Sequence, residues 1–400
     1  AAANDAIVPE LAWQMGRPVR YGGELRSLTE RVEALAAMAE DSLAPAIHSA
    51  DMASRRSVRR VPVGLVLVIA PWNYPFLTAI NAIVPALLAG NAVLLKHAEQ
   101  SLLAGERIAE ALAVAGVPAG LFANLYLSHD QVGGLIGAGL VDHVTFTGSV
   151  EGGRAIERAA AGSFTSLTLE LGGKDAAYVR TDADLETAIA GLVDGALFNS
   201  GQSCCGVERI YVAEPLYRRF VDGFVAAAEA YRLGDPLAPA SGLGPMSSAR
   251  LAARVRAQID AAVASGARRC VDTAKFAGSP DGPAYLAPEV LTGVDHGMAV
   301  MREETFGPTV GIMAVADDGA ALRLVNRTGF GLTASLWVAD LGVAARLGEE
   351  IRAGTIFANR CDYIDPALAW TGIGLSGRGA SLRGYGSDAV TRPQSFHLRS

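Results

Sequence analysis

The chain has 400 residues, enough for two or three domains with sizeable cores. Hydrophobic residues make up 50% and charged residues 19%, which excludes a disordered chain. With 34 basic and 41 acidic residues the net charge is −7, which argues against nucleic acid or an anionic membrane as partner. Residues 1–45 read as helical, rich in Ala, Leu and Glu, and 46–60 turn polar and carry RRSVRR. Apolar strands then alternate with helices. Strand 61–70 leads into helix 76–90, strand 91–96 into helix 101–115, and strand 121–127 into a short helix 130–139. Strand 142–148 leads into helix 149–161, and a strand and turn over 167–173 closes the block. Such alternation predicts βαβ units on a parallel sheet. A second α/β block runs from helix 184–198 through a polar loop NSGQSCCG, strand 208–213 and helix 215–230. After a Gly-, Pro- and Ser-rich stretch at 233–248, expected to be exposed, come helix 249–264 and strands 286–291 and 309–314. Helix 317–327, strand 332–338, helix 341–352 and strand 354–359 complete it.

The mean hydropathy of +0.27 makes a membrane span worth testing. Of the two longest apolar stretches, 61–72 is too short to span, and 79–95 is broken by Asn81, Pro85, Gly90 and Asn91. The start, AAANDAIVPE, lacks the basic segment and apolar core of a signal peptide. Four Cys, two of them adjacent (Cys204, Cys205), form no disulfide framework and suit a reducing, cytoplasmic location. The six His show no metal-ligand spacing, so no metal is expected. A GxGxxG match at Gly372–Gly377 leaves too little chain after it for a βαβ unit and is set aside. RRSVRR (55–60) reads as a solvated loop or edge strand rather than a phosphate-binding patch.

Three pieces carry chemistry. Pro71-Trp72-Asn73-Tyr74-Pro75 joins a buried strand to a helix, where ligands bind in open parallel sheets. Asn73 there is either an amide donor or a plain turn residue. Glu170 ends an apolar strand before Gly172-Gly173. If buried it has a raised pKa and suits a general base; if it faces outward it does not. Cys204 and Cys205 lie in a loop of Asn, Ser, Gly and Gln, where a thiol can be exposed and activated, although a lone Cys is more often structural.

In this order, PWNYP, FTGSVEGG, LELGGKD, NSGQSCC and EETFGP, with the ending NRCDYIDPALAWTG…SGRG…TRPQSFHL, resemble the aldehyde dehydrogenase superfamily over nearly the whole chain. The resemblance implies an α/β protein: a Rossmann-like parallel-sheet cofactor domain, an α/β catalytic domain and a small β oligomerisation arm. It places an NAD-binding domain at 1–45 and 63–172, a catalytic domain at 173–371, oligomerisation strands at 46–62 and 391–400, and a C-terminal connection at 372–390. Members of that family carry a further N-terminal segment, so the resemblance reads this sequence as N-terminally shortened, beginning inside the early helices of the cofactor domain.

By the same resemblance Cys204 is the nucleophile, Asn73 with the Cys204 N–H the oxyanion hole, and Glu170 the general base. Lys96 and Glu99 meet the adenosine ribose. Phe146, Gly148 and Ser149 open the helix beside the pyrophosphate, Glu304 and Phe306 hold the nicotinamide-side ribose, and Trp72 lines the cofactor pocket. Thr78, Asn81, Phe198, Ser203 and Cys361 line the substrate tunnel, with Arg360 near its rim. The expected activity is oxidation of a small-molecule aldehyde to its acid with NAD, NADP being possible, in a homodimer or homotetramer. Two alternatives are a CoA-acylating dehydrogenase, against which Glu170 speaks, and an inactive relative serving as a binding or structural protein.

Overall fold

The structure is a computed structural model that describes residues 3–50 and 54–399. Residues 51–53 and 400 of the expected oligomerisation strands, and residues 1 and 2, lie outside the described residues. The chain forms two compact units. The first comprises Ala1–Gly23, Gly172–Tyr363 and Gly372–Ser376; the second comprises Glu24–Leu171, Ile364–Thr371 and Gly377–Ser400.

Helix α1 (Asn4–Met15) belongs to the first unit, which departs from the expected grouping of 1–45. The reason is close backbone approach: Gly16 ends α1 at φ +80, and a Cβ there would lie 2.2 Å from the Pro245 carbonyl oxygen. The chain then enters the second unit with α2 (Leu25–Leu43), β1 (Ala46–Ala50), β2 (Ser54–Pro62) and β3 (Leu65–Ala70). Next come α3 (Pro75–Leu88), β4 (Ala92–His97), α4 (Leu102–Val114), β5 (Phe122–Asn124) and α5 (His129–Gly137). They are followed by β6 (His143–Thr147), α6 (Val150–Ala160) and β7 (Ser166–Glu170).

The first unit resumes with β8 (Asp175–Val179), α7 (Leu185–Leu197), β9 (Val207–Ala213), α8 (Glu214–Glu229), α9 (Ala249–Ala264), β10 (Arg268–Arg269) and β11 (Glu289–Thr292). It ends with β12 (Thr309–Val315), α10 (Asp318–Val325), β13 (Thr333–Trp337), α11 (Leu341–Gly348) and β14 (Thr355–Ala358). The chain returns to the second unit for β15 (Trp370–Thr371), β16 (Gly377–Arg378), β17 (Ala380–Ser381), α12 (Arg383–Ala389) and β18 (Thr391–Arg399).

The second unit holds a six-stranded sheet in the order β16-β7-β6-β3-β4-β5, parallel except for β16. Strand order reverses at β3, between β4 and β6, which makes the carboxyl end of that strand a topological switch point. Leu67, Ile69, Val144, Phe146 and Leu169 pack one face against Val132, Ile136 and Ile156 of α5 and α6. The first unit holds a seven-stranded sheet, β10-β11-β12-β9-β8-β13-β14, parallel except for β10. Alternate residues of β8 serve separate cores, Ala176 and Tyr178 one, Ala177 and Val179 the other. Burial of both faces explains why its strands read as continuous apolar runs.

RRSVRR is neither a loop nor an edge strand. It lies in β2, the middle strand of a small antiparallel sheet β1-β2-β18. Arg55, Arg56 and Arg59 are exposed there. No helix among the described residues is long and apolar enough to cross a membrane.

Candidate active site

In the second unit the expected residues gather at the carboxyl ends of the parallel strands. Asn73 and Trp72 follow β3, Lys96 nearly ends β4, Gly148 and Ser149 follow β6, and Glu170 ends β7. The bend carrying buried Asn73 is braced by His97, whose ring Nε2 lies 3.1 Å from the Pro75 carbonyl oxygen. The Ala98 N–H donates to His97 Nδ1 at 3.0 Å, so Nε2 carries the proton and donates to Pro75. Burial pulls the His97 pKa down to about 4, which keeps the ring neutral.

Lys96 is buried, and that burial lowers its pKa while nearby Glu99 opposes the shift. Glu99 is exposed and opens a short 3-10 turn before α4. Ser149 caps α6, its hydroxyl accepting the Gly152 N–H at 3.1 Å. A Cβ on Gly148 or Gly152 would come within 2.7 or 2.5 Å of the Phe146 ring. The two glycines therefore let the first turn of the helix settle onto the strand end. A glycine-lined helix N-terminus after β6, with a buried ammonium and an exposed carboxylate at the end of β4 on the other side of β3, suits the pyrophosphate and ribose of a dinucleotide.

Glu170 is buried, not outward-facing. Burial raises its pKa, against the lowering influence of the Ser381 hydroxyl, the Arg31 guanidinium and the Thr147 hydroxyl. Its Oε1 is shut off from solvent and finds no hydrogen-bond partner among the described residues. Arg31, on α2, donates to Asn81 Oδ1 at 3.2 Å and to the Ile364 carbonyl at 3.1 Å. Thr78 donates to the Tyr74 carbonyl at 2.7 Å. The Thr78 hydroxyl and the Asn81 Oδ1 thus already serve internal bonds.

In the first unit the candidates sit at the amino ends of strands: the Gly172-Gly173 turn before β8, Cys204 before β9, and Glu304 and Phe306 before β12. The loop before Cys204 is strained, with Asn199, Ser200 and Gly201 in consecutive left-handed conformations (φ 53, 56 and 69). Its polar groups are buried and bonded rather than solvated. Ser200 donates to the Gly244 carbonyl at 3.0 Å, the Ser247 N–H donates to Gln202 Oε1 at 2.8 Å, and Gln202 Nε2 donates to the Asn199 carbonyl at 3.1 Å. The stretch 233–248 is exposed only in part: Asp235, Leu237, Pro239 and Ala240 are exposed, whereas Ser241–Gly244 and Met246 are buried. Gly244 and Ser247 prop the cysteine loop.

Cys205 is buried and its thiol donates to Asp362 Oδ1 at 3.0 Å, beside the Ser203 hydroxyl, which donates to the same oxygen at 2.8 Å. Hydrogen bonding with Cys204, burial and the Asp362 charge push the Cys205 pKa well up. Cys204 is only partly buried. A Cβ on Gly173 would lie 2.4 Å from the Cys204 carbonyl oxygen, and one on Gly172 would lie 2.0 Å from Glu304 Oε1. The Gly-Gly turn thereby leaves room for the Cys204 backbone at one glycine and the Glu304 carboxylate at the other, and the Gly173 N–H donates to Glu304 Oε1 at 3.0 Å. Burial, with Glu208 next, raises the Glu304 pKa to about 7. Phe198 packs on Tyr21, their ring centroids 4.6 Å apart. Cys361 lies by Gly191 and Gly195 of α7, its pKa raised by burial, and Arg360 stacks on Tyr363 at 3.8 Å.

Asp362, His97 and Arg31 escaped the sequence analysis. Asp362 and Arg31 act through partners distant in sequence, and His97 braces Pro75, 22 residues before it; no local spacing marks them.

The model of the aldehyde dehydrogenase family matches residues 2–396, and the chain belongs to that family. It is 33% identical over 404 residues to a succinate-semialdehyde dehydrogenase [NADP(+)] of Mycobacterium avium (strain 104), covering 100% of this chain and 84% of that protein. It is 36% identical over 325 residues to the succinate semialdehyde dehydrogenase [NAD(P)+] Sad of Escherichia coli (strain K12), covering 81% of this chain and 70% of that one. A succinic semialdehyde dehydrogenase from Streptococcus pyogenes, solved with NADP+, superposes with a TM-score of 0.91 at 27% identity over 99% of this chain and 86% of that one. The protein is an NAD(P)-dependent, non-acylating aldehyde dehydrogenase that oxidises an aldehyde to its carboxylic acid.

Proposed function

We propose that the reaction runs through Cys204, Asn73 and Glu170, with the second unit holding the cofactor and the first carrying the nucleophile. The observation that carries this reading is the unequal state of the two cysteines: Cys205 is locked as a buried thiol by Asp362, whereas Cys204 is accessible. The Cys204 thiolate attacks the aldehyde carbonyl carbon to form a thiohemiacetal. Negative charge on its oxygen is met by the Asn73 amide and the Cys204 N–H. NAD, when bound, accepts the hydride that leaves this carbon. A thioester remains on Cys204. Glu170 takes a proton from water, the hydroxide attacks the thioester, and the acid departs as the thiolate re-forms.

Lys96 and Glu99 hold the adenosine ribose, Gly148 and Ser149 receive the pyrophosphate on α6, and Glu304 and Phe306 take the nicotinamide-side ribose. Phe146 supports the first turn of that helix and Trp72 lines the cofactor pocket. Thr78, Asn81, Phe198, Ser203 and Cys361 line the aldehyde path.

From the names of its relatives we propose succinate semialdehyde, or a similarly short aldehyde bearing a carboxylate, as substrate. Arg360 is the proposed cation at the rim. The protein is proposed to act in the cytoplasm as a homodimer or homotetramer joined through β1, β2 and β18.

The test is NAD(P)H formation across an aldehyde panel, with and without CoA. Turnover without CoA that favours succinate semialdehyde in kcat/KM supports the proposal. Turnover no better with succinate semialdehyde than with uncharged aldehydes of similar length would reject the carboxylate-bearing substrate.

A further inference from the structure

Lys174 directly follows the Gly172-Gly173 turn, and its side chain is wholly buried. Its ammonium pairs with the buried Glu208 carboxylate and donates to Thr305 Oγ1 at 2.9 Å. Glu208 also accepts the backbone N–H of Thr305, at 2.9 and 3.1 Å to its two oxygens, and that of Phe306 at 2.8 Å. The gripped turn is not a relaxed one, since Phe306 sits at φ +57, a conformation a bulky side chain rarely adopts. A carboxylate suits this place because it is an acceptor with room for several donors, and two N–H groups and an ammonium converge on it. A buried ion pair of this kind is often no more stabilising than apolar packing, so fixed geometry is what it adds.

We infer that Glu208, paired with Lys174, is a positioning residue for the cofactor: it fixes the Thr305-Phe306 backbone and so sets Glu304 and Phe306 where they meet the nicotinamide-side ribose. The inference rests on the proposed ribose role of Glu304. Electrostatics supports it. Glu304 titrates near neutrality, raised by its burial and then by the Glu208 charge. The Gly173 N–H, Arg254 and Lys174 oppose that rise. Arg254 also binds the Glu304 carbonyl at 3.1 Å, and the neighbouring Arg302 and Glu303 are exposed. Ionised Glu304 accepts hydrogen bonds from ribose hydroxyls better than its protonated form, so NAD affinity weakens as pH falls through about 7. Removing Glu208's charge moves that midpoint to lower pH. The shift persists when Lys174 is removed as well, since Glu208 is the stronger of the two influences on Glu304.

The test measures the Kd of NAD by calorimetry on the full chain, across the neutral pH range, with kcat and KM alongside. Glu208→Gln alone strands a buried ammonium, so the main variant is Lys174→Met with Glu208→Gln. Glu208→Asp keeps the charge but shortens the reach, and it carries the test if the double variant does not fold. Glu304→Gln tests the ribose role itself. The double variant is expected to bind NAD about tenfold more weakly or worse, with its midpoint at lower pH and KM for NAD changed more than kcat. Glu208→Asp is expected to weaken binding with the midpoint near wild type.

Weak, pH-independent binding by Glu304→Gln beside wild-type Kd and midpoint in the folded Glu208 variants would overturn the positioning role alone. Weaker binding by the double variant without movement of its midpoint would overturn it too. Wild-type Kd and profile in Glu304→Gln would overturn the ribose role, and the inference with it.

Discussion

The Cys205 thiol donates to the Asp362 carboxylate at 3.0 Å, one residue beyond a cysteine that is partly open. Hydrogen bonding with Cys204, burial and then the Asp362 charge favour the thiol of Cys205 over its thiolate. On the proposed mechanism Cys205 is thereby kept out of the chemistry while Cys204 stays open to the aldehyde. Cys204→Ala is expected to abolish aldehyde oxidation, and Cys205→Ala to leave most of it. Steady-state NAD(P)H formation checks both, and the reverse pattern would transfer the nucleophile to Cys205.

Glu170 sits at the end of β7 with one oxygen shut off from solvent and without a hydrogen-bond partner among the described residues. Glu170→Gln should slow steady-state turnover by roughly 10²–10⁴-fold, the usual reach of a general base. A first-turnover burst of NAD(P)H should survive, because hydride leaves before water attacks. The base must be ionised to act, and burial raises its pKa. Wild-type hydrolysis should therefore fall on acidification at a pH above the ordinary Glu value of about 4.3. Rapid-mixing kinetics across pH checks this, and loss of the burst along with turnover would place Glu170 before hydride transfer.

A different acid sensitivity lies in the six-stranded sheet. His143 is buried, its Nδ1 bonded to the Ser166 hydroxyl at 2.8 Å, and burial lowers its pKa to about 4. Between about 6.5, the unfolded value, and about 4 the unfolded chain binds the proton and the folded one does not. Stability from the neutral ring is thus complete above the unfolded pKa and lost as pH falls through the folded one. By linkage His143 makes the fold about 2 kcal/mol less stable at pH 5 than at pH 7. His143→Phe, similar in volume, should shrink the pH difference in urea unfolding by about that amount. An unchanged difference would show that His143 titrates alike in the folded and unfolded chains.

Strand β18 is an almost wholly exposed edge, paired on one side only with β2. A strand of nine residues with an open edge invites a partner strand. Light scattering of the dilute protein should give at least twice the 41.4 kDa of one chain. Arg→Glu changes at Arg55 and Arg59 should shift it toward monomer, and a wild-type monomer would exclude the assembly.

The alternation of apolar strands and helices was plain in the sequence because parallel strands buried on both faces leave unbroken Val, Ile, Leu and Ala runs. The same periodicity could not show where α1 docks, since that depends on Gly16 meeting Pro245. The motifs pointed to Cys204, Glu170 and Asn73, but composition misjudged their setting. Asn199, Ser200, Gln202 and Ser203 are polar, small and characteristic of exposed loops, yet all are buried. Their bonds to Gly244, Ser247 and Asp362 span long stretches of chain, and no local pattern announces them.

Glu99 sets the last expectation. It is exposed just past the end of β4, close enough to Lys96 to hold up that residue's pKa against burial. A carboxylate there accepts hydrogen bonds from ribose hydroxyls and repels a 2′-phosphate, while Lys96 partly offsets the repulsion. Wild type should therefore prefer NAD while still turning over with NADP. Glu99→Gln and Glu99→Ser should move the kcat/KM ratio toward NADP, since they remove the repulsion and leave Lys96 in place. If Glu99 served only to open the turn before α4, through the preference of helix starts for acids, the ratio would not move. Measuring kcat/KM for both cofactors in wild type and both variants decides between these. A wild-type preference for NADP, or an unmoved ratio, would remove Glu99 from the ribose site.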